Sequence, residues 1–414
     1  MPTKNKAVQK EYHPSEKILE NYAKVLINFA LGDEKGIKKG DVVYVYLPEY
    51  AKPLLQPLKK TILKAGGHVL LNYVPNNSDR VGTDKDFYEF ASKEQISFFP
   101  DKYHRGLVDQ VDHTLFILCE TDPQNLRDVT PEKMMVHERA YKPFREWRFE
   151  KVAQGKLTWC LALYGTPGMA KEARLTPQAY WQQIIQACFL DKPNPIAEWK
   201  KAVKKINEYR TRLNSMSIDK LHVLGSDVDL WITMGEDRQW LAGGGNNIPS
   251  FEIFTSPDWR GTEGWIKFNQ PLYRYGNLIE GIELEFKNGK VVKSTAKKNK
   301  KLLKSMIASE NADKVGEFSL TDGRLSRITK FMAETLFDEN MGGPQGNTHI
   351  AVGSAYHDTY KGNSKGFTKA DWARLGFNDS AVHTDIISTS PRRVMAYMKD
   401  GSQKLIYENG QFTL

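Results

Sequence analysis

Gly40–Tyr73 reads GDVVYVYLPEYAKPLLQPLKKTILKAGGHVLLNY. Val42–Leu47 is an unbroken run of β-branched, aromatic and leucine residues, the composition of a strand buried on both faces. A helix is expected over Pro53–Ala65, closed by Gly66–Gly67, and a second strand over His68–Tyr73. Strand, helix-length crossover and strand predict parallel pairing with a right-handed connection. Upstream, Ile18, Leu19, Tyr22, Ala23, Val25, Leu26, Phe29 and Ala30 lie near one face of a helix over Ser15–Leu31, started by Pro14–Ser15 and stopped by Gly32. Downstream, strands at Thr114–Cys119 and Leu157–Leu163 and helices at Pro177–Phe189 and Pro195–Arg212 extend the rhythm. Residues 1–213 therefore read as an open-sheet α/β domain that serves as scaffold, substrate wall or dimer surface. It carries no phosphate-binding fingerprint: no GxGxxG follows the first strand and no GxxxxGK[ST] occurs anywhere.

From about Lys220 the pattern changes to short strands between glycine turns. Leu221–Leu224 and Val228–Thr233 are strand-like. Asn288–Gly289, between Ile282–Phe286 and Val291–Val292, is a hairpin signal, because both central residues of such a turn need positive φ. Asp400–Gly401 and Asn409–Gly410 mark further turns, and helices are expected at Ala296–Ser309 and Leu325–Leu336. Residues 214–414 read as an α+β domain rich in antiparallel strands.

Composition sets outer limits. The chain has 414 residues, 40% of them hydrophobic and 26% charged, which is globular rather than disordered and long enough for about two or three domains. Cys119, Cys160 and Cys188 form no CxxC or zinc-finger spacing, which excludes a cysteine metal cluster and favours a reducing compartment. The N-terminal MPTKNKAVQKEYHPSEK has no apolar core of a signal peptide, and no apolar run approaches the ~18 residues of a membrane span. The expected setting is the cytoplasm, with no membrane partner. The net charge of +9 comes from 59 basic residues nearly balanced by 50 acidic ones. The dense tract Lys287, Lys290, Lys293, Lys297, Lys298, Lys300, Lys301 and Lys304 lacks the interleaved aromatics on which bases stack. It reads as a solvated strand edge and helix face, and no nucleic acid is expected.

Chemistry concentrates in the second half. In Val382–His383–Thr384–Asp385–Ile386–Ile387, His383 and Asp385 share one face of a strand, about 6.5–7 Å apart along it. Inward-facing polar residues need partners, such as a metal or each other. Glu339 ends a helix, and the glycine-rich Met341–Thr348 leads to His349 at the start of a strand. Glu252 lies in Ile248–Phe254 after Gly243–Gly244–Gly245, and Glu317 lies in Val315–Leu320. Each alone suits an ordinary strand residue. Together, three glutamates, two histidines and an aspartate in apolar or glycine-rich sequence suit zinc, manganese, cobalt or magnesium, and the carboxylate richness suits two ions.

The order Glu252, Glu317, Glu339, His349, Tyr356, His383, Asp385 resembles the aminopeptidase T and aminopeptidase S family of cocatalytic metallo-aminopeptidases. The words PSFEIFTSP, GEFSL, FDEN, NTHIAVGSAYHD and HTDII carry the likeness, with KGDVVYVY and YGTPGMAKEA in the first half. The resemblance implies two divalent metal ions held by Glu252, Glu317, Glu339, His349, His383 and Asp385. Glu317 would bridge them, and Tyr356 would be a catalytic hydroxyl. It further implies peptide substrates with a free N-terminus and a homodimer. The GGPQG stretch between Glu339 and His349 departs from the family's shorter interval. Glu252 and Glu317 are both open to the role of proton carrier to the leaving amine.

Other readings stand beside this one. An amidase or phosphoesterase could use the same ligands; a phosphoesterase would want cationic clamps, for which Arg260 and Arg324 are the nearby residues. A polyanion-binding protein would show a steep salt dependence. Trp259, Arg260 and Trp265 are open to pocket lining or packing, and His357–Asp358 to supporting the site or ending a strand. Gly362–Gly366 fits GxSxG, but no buried strand leads into it. His137–Glu138 lacks the second histidine of HExxH.

Overall fold

Four strands, His68–Val74, Val42–Pro48, His113–Leu118 and Thr158–Leu163, lie side by side in that order, all parallel, as the β-α-β reading expects. The computed structural model describes residues 12–77, 83–274 and 276–414. Residues 1–11, on which most of the leader reading rests, lie outside the described residues. Helix Glu16–Val25 runs on into a π-turn at Leu26–Ala30 and packs against helices Lys52–Lys64 and Pro195–Asn214. Tyr22, Phe29, Trp181 and Trp199 are fully buried in this layer. A fifth parallel strand comes from the second half of the chain: Asn247–Ile248 pairs with Leu161–Ala162. The preceding glycine triplet permits this approach, since a Cβ on Gly243 or Gly245 would collide with the Ser250 side chain or the Ala30 carbonyl.

Among the described residues the second half forms two main antiparallel sheets, beside a two-stranded pair of Leu272–Arg274 with Asn277–Ile279. The larger orders Lys290–Thr295, Glu283–Lys287, Asp258–Lys267, Val228–Thr233, Ile218–Gly225, Arg393–Met398, Gln403–Glu408 and Gln411–Phe412. Its Asn288–Gly289 turn has φ of 51° and 75°, as the hairpin signal requires. The smaller orders His383–Ser388, Asn347–Gly353, Val315–Thr321, Glu252–Thr255 and Leu241–Ala242. The α/β region and the antiparallel-rich α+β region read from the sequence are thus both present.

Two expected helices differ. Ala296–Ser309 contracts to Lys300–Ile307, and Leu325–Leu336 is not a helix; only Thr335–Asp338 coils. In that second stretch Ala333 has φ of 53°, outside the right-handed helical region. The Asp338 carboxylate takes the backbone N–H groups of Met332 and Glu334, at 2.6 and 3.0 Å, in place of helical partners. Ile328, Met332, Leu336 and Phe337 are buried, so the helix-like spacing of apolar residues reflects burial of an irregular segment. The three cysteines are free and buried. No helix among the described residues is long and apolar enough to cross a membrane.

Candidate metal centre

The register of the smaller antiparallel sheet assembles the site. Ser319 pairs with His349, Glu317 with Ala351, and Thr321 with both Asn347 and Glu252. On the far side of His349's strand, Asp385 pairs with Ala351 and His383 with Gly353. Side chains alternate faces along a strand, so Glu252, Glu317, Ser319, His349, His383 and Asp385 all emerge from one face. The strands Val315–Thr321 and Asn347–Gly353 are buried along their whole length. This face is therefore a polar patch inside the molecule.

Two ligand triads meet there: Glu252, Glu317 and His349, and Glu317, His383 and Asp385. Glu317 belongs to both. Its Oε1 lies 3.4 Å from His349 Nε2, and its Oε2 lies 3.3 Å from His383 Nε2. His349 Nε2 is also 3.4 Å from Glu252 Oε2, and His383 Nε2 is 3.4 Å from Asp385 Oδ1. Neighbouring groups aim these ligands. The His383 Nδ1–H donates to the Ser354 carbonyl at 2.8 Å, which turns Nε2 toward the carboxylates. The Ser319 hydroxyl donates to Glu252 Oε2 at 3.1 Å.

The electrostatics of the cluster suit a bound cation. Burial, then the charge of Glu317, pushes the Glu252 carboxyl up to about 8. Burial opposes a charged His349, yet Glu317 and Glu252 raise it to about 9. Burial alone would raise Asp385, but His383 brings it down to about 2. Four carboxylates, including Glu339, are buried here against two imidazoles. Such an excess of like charge is stable only with protons or cations among the oxygens. Atoms bound to one ion at about 2.0–2.2 Å can be no more than about 4.4 Å apart. The measured separations of 3.3–3.8 Å between the imidazole nitrogens and their neighbouring carboxylate oxygens fall within that limit. The residues fit divalent metal.

Glu339 is set slightly apart. It caps Thr335–Asp338, and its Oε1 accepts from the amides of Asn340 and Asn247 at 3.3 and 3.4 Å. Burial, then the charge of Glu252, raises it well above the usual carboxylate range, so it borders the triads without belonging to either. Tyr356 sits at the mouth, 41% exposed, its ring 4.7 Å from the His383 ring and 5.7 Å from Phe254. Desolvation around its hydroxyl, then the charge of Glu317, keeps the phenol protonated.

Other sequence candidates fall elsewhere. Lys314 lies over Trp259, Lys267 lies over Trp265, and Arg260 forks onto Asp258. Arg324 forks onto Asp322. His357 stacks on Trp372, 3.9 Å between ring centres. No strand leads into Gly362–Gly366, and all eight lysines of the basic tract are exposed. The sequence reading missed Ser319, Asn340 and Ser354. Ser319 had a signal, two residues after Glu317 on the same strand face; Ser354 acts through its backbone carbonyl and had none.

Residues 15–412 match the model of the thermophilic metalloproteases, family M29. The chain belongs to that family. It is a metallopeptidase, and the likeness to aminopeptidases T and S drawn from PSFEIFTSP, GEFSL and HTDII holds. Aminopeptidase PepS of Streptococcus thermophilus is 26% identical over 425 residues, spanning 96% of this chain and 98% of its own. Aminopeptidase T of Thermus thermophilus is 28% identical over 71% of this chain and 75% of its own. Aminopeptidase AmpS of Bacillus subtilis is 25% identical over 95% and 98%. In structure, AmpT from Thermus thermophilus superposes with a TM-score of 0.80 at 23% identity, covering 96% of this chain and all of that one. A 2,5-dihydroxypyridine dioxygenase from Pseudomonas putida KT2440 gives 0.53 at 12% identity over 96% of both chains. Both superpositions are statements of fold.

Proposed function

We propose that the chain is a two-metal aminopeptidase that removes N-terminal residues from peptides. The observation that carries this reading is the sharing of Glu317 between two ligand triads, one oxygen toward each histidine. In this reading Glu252, Glu317 and His349 hold one ion, Glu317, His383 and Asp385 hold the other, and Glu339 completes the set. When bound, divalent ions supply the Lewis acidity that activates water and polarises the scissile carbonyl.

The protein's own groups do the rest. Ser319 and the Ser354 carbonyl orient Glu252 and His383, so the ligand atoms need little rearrangement when the site fills. Tyr356, protonated and beside His383, is the hydroxyl that donates to the developing oxyanion. The departing amine needs a proton, and either Glu252 or Glu317 is the carboxylate to carry it. The buried carboxylate excess is also suited to a substrate's free α-ammonium, which gives exopeptidase selectivity its physical basis.

Zinc, cobalt, manganese and magnesium all accept this oxygen and imidazole set, zinc being the working choice. We further propose two domains, residues 1–213 and 214–414, a homodimer and a cytoplasmic setting. The phosphoesterase alternative loses ground because Arg260 and Arg324 are each committed to a neighbouring aspartate. The test strips the protein with chelator, restores one metal at a time, and offers free and N-acetylated aminoacyl amides. Metal-restored cleavage of the free-amine substrates alone is expected; equal cleavage of acetylated substrates would contradict the exopeptidase reading.

A further inference from the structure

Tyr356 is the one proposed catalytic group outside the regular strands of the metal-bearing sheet. It begins an excursion, residues 356–377, that leaves that sheet and carries a small aromatic core of its own. Leu375 and Phe377 are buried there with Tyr360, Phe367 and Trp372 packed around them. A phenol at the root of such an excursion holds its place only if the backbone is anchored on both sides.

Arg238 supplies the anchor. It is 8% exposed, and all its polar contacts go to main-chain carbonyls: Nε to Ser256 at 2.6 Å, Nη1 to Glu236 at 3.0 Å and Nη2 to Leu375 at 2.8 Å. Its guanidinium lies 3.5 Å from the centre of the Phe377 ring. One side chain thus grips the far end of the excursion and the segment just after the Glu252 strand. Ser256, fully buried, passes the grip on, because its hydroxyl accepts the Tyr356 backbone N–H at 2.8 Å. The neighbouring Gln239 holds the next residues: its backbone N–H reaches the Thr359 carbonyl and its amide the Asp358 carbonyl, each at 2.8 Å. The hydrogen bonds of Arg238, Ser256 and Gln239 described here go to no residue of the two triads.

We infer that Arg238 and Ser256 form a positioning relay for Tyr356: Arg238 fixes Ser256, and Ser256 holds the Tyr356 backbone so that the phenol stays against His383. The inference rests on the proposed catalytic role of Tyr356. A guanidinium suits the task because its fork satisfies several carbonyls at fixed angles, which a lysine ammonium does not reproduce. Loss of the relay moves the hydroxyl without disturbing metal or substrate binding, and small misplacements of a catalytic group are costly in rate.

The test is a kinetic cycle on the full-length, metal-loaded protein with a free-amine aminoacyl amide, measuring kcat, KM and bound metal for Ser256→Ala, Tyr356→Phe and the double variant. Ser256→Ala is the primary probe because it deletes only one oxygen; Arg238→Lys, which keeps the charge, is the companion. Ser256→Ala is expected to lower kcat by about tenfold or more, with KM and metal content unchanged, and to cost nothing further in the Tyr356→Phe background. Arg238→Lys is expected to fall between wild type and Ser256→Ala. A wild-type kcat for Ser256→Ala beside a crippled Tyr356→Phe would overturn the relay while leaving the role of Tyr356 intact. The same fold loss in both backgrounds, or a change in KM or metal content alone, would overturn it too. A fully active Tyr356→Phe would sink the role of Tyr356, and the relay with it.

Discussion

The inner strands of the parallel sheet and those of the smaller antiparallel sheet are both largely buried, but they fill their interiors differently. In the parallel sheet the buried positions are apolar, such as Val43, Val45, Leu115, Ile117 and Leu163. The polar exceptions are settled locally: His113 by Asp41 at 2.8 Å and Thr158 at 2.7 Å, and Thr114 by the Arg148 guanidinium at 3.1 Å. In the antiparallel sheet, strands buried along their whole length carry Glu317, Ser319, Thr321, Asn347 and His349 on one face. With Glu252, His383 and Asp385 beside them, carboxylates outnumber imidazoles there, and Arg274 adds to the charges that keep Asp385 ionised. Hydrophobic burial holds the first sheet together. In the proposed reading the second is completed by a cation, so the two should respond to different perturbations.

The largest effect is expected from Glu317→Gln, which removes the carboxylate common to both triads. Peptidase activity should fall by about a thousandfold or more, with bound metal lost and the far-UV circular dichroism unchanged; His383→Ala should behave alike. Full metal content and normal hydrolysis in either variant would remove the contrast between the sheets. Next comes Leu115→Ala in the parallel sheet, where a buried side chain is lost from the core. A cost of about 2–5 kcal/mol is expected, read as a lower urea midpoint, with metal stoichiometry unchanged. Ser319→Ala should be milder, weakening metal affinity about 10–100-fold by freeing Glu252, as read by competition with a chromophoric chelator.

The smallest effect sharpens the electrostatic side. In the metal-free protein Glu252 and His349 are raised to about 8 and about 9, so both hold protons at pH 7. Metal ligands must be deprotonated. Metal uptake at pH 7 should therefore release protons, and affinity should fall as the pH drops below about 9 and more steeply below about 8. Calorimetry in buffers of different ionisation enthalpy measures the release; a heat independent of buffer would contradict it.

The same contrast explains what could be read from the chain. Strands such as Val42–Pro48 and Val228–Thr233 were legible because short continuous or alternating apolar runs, rich in β-branched residues, fit a buried strand better than a helix. The ligands were legible as a set, since polar residues inside apolar strands need a reason. Helices Pro131–Ala140 and Lys142–Ala153 escaped because they bury little: the second has no buried residue, so its apolar spacing is faint. Leu325–Leu336 misled in the opposite direction, its apolar residues spaced as in a helix yet buried along an irregular path around Asp338. Arg238, Ser256 and Asn340 were illegible because each works through partners distant in the chain, such as the Phe251 N–H that Asn340 accepts from 89 residues away.

The most direct test of the central claim is the number of divalent ions bound per chain, measured by elemental analysis of reconstituted, fully active protein. Two ions per chain, falling in Glu317→Gln together with activity, is the result predicted by a carboxylate shared between two triads. One ion per chain at full activity would contradict it.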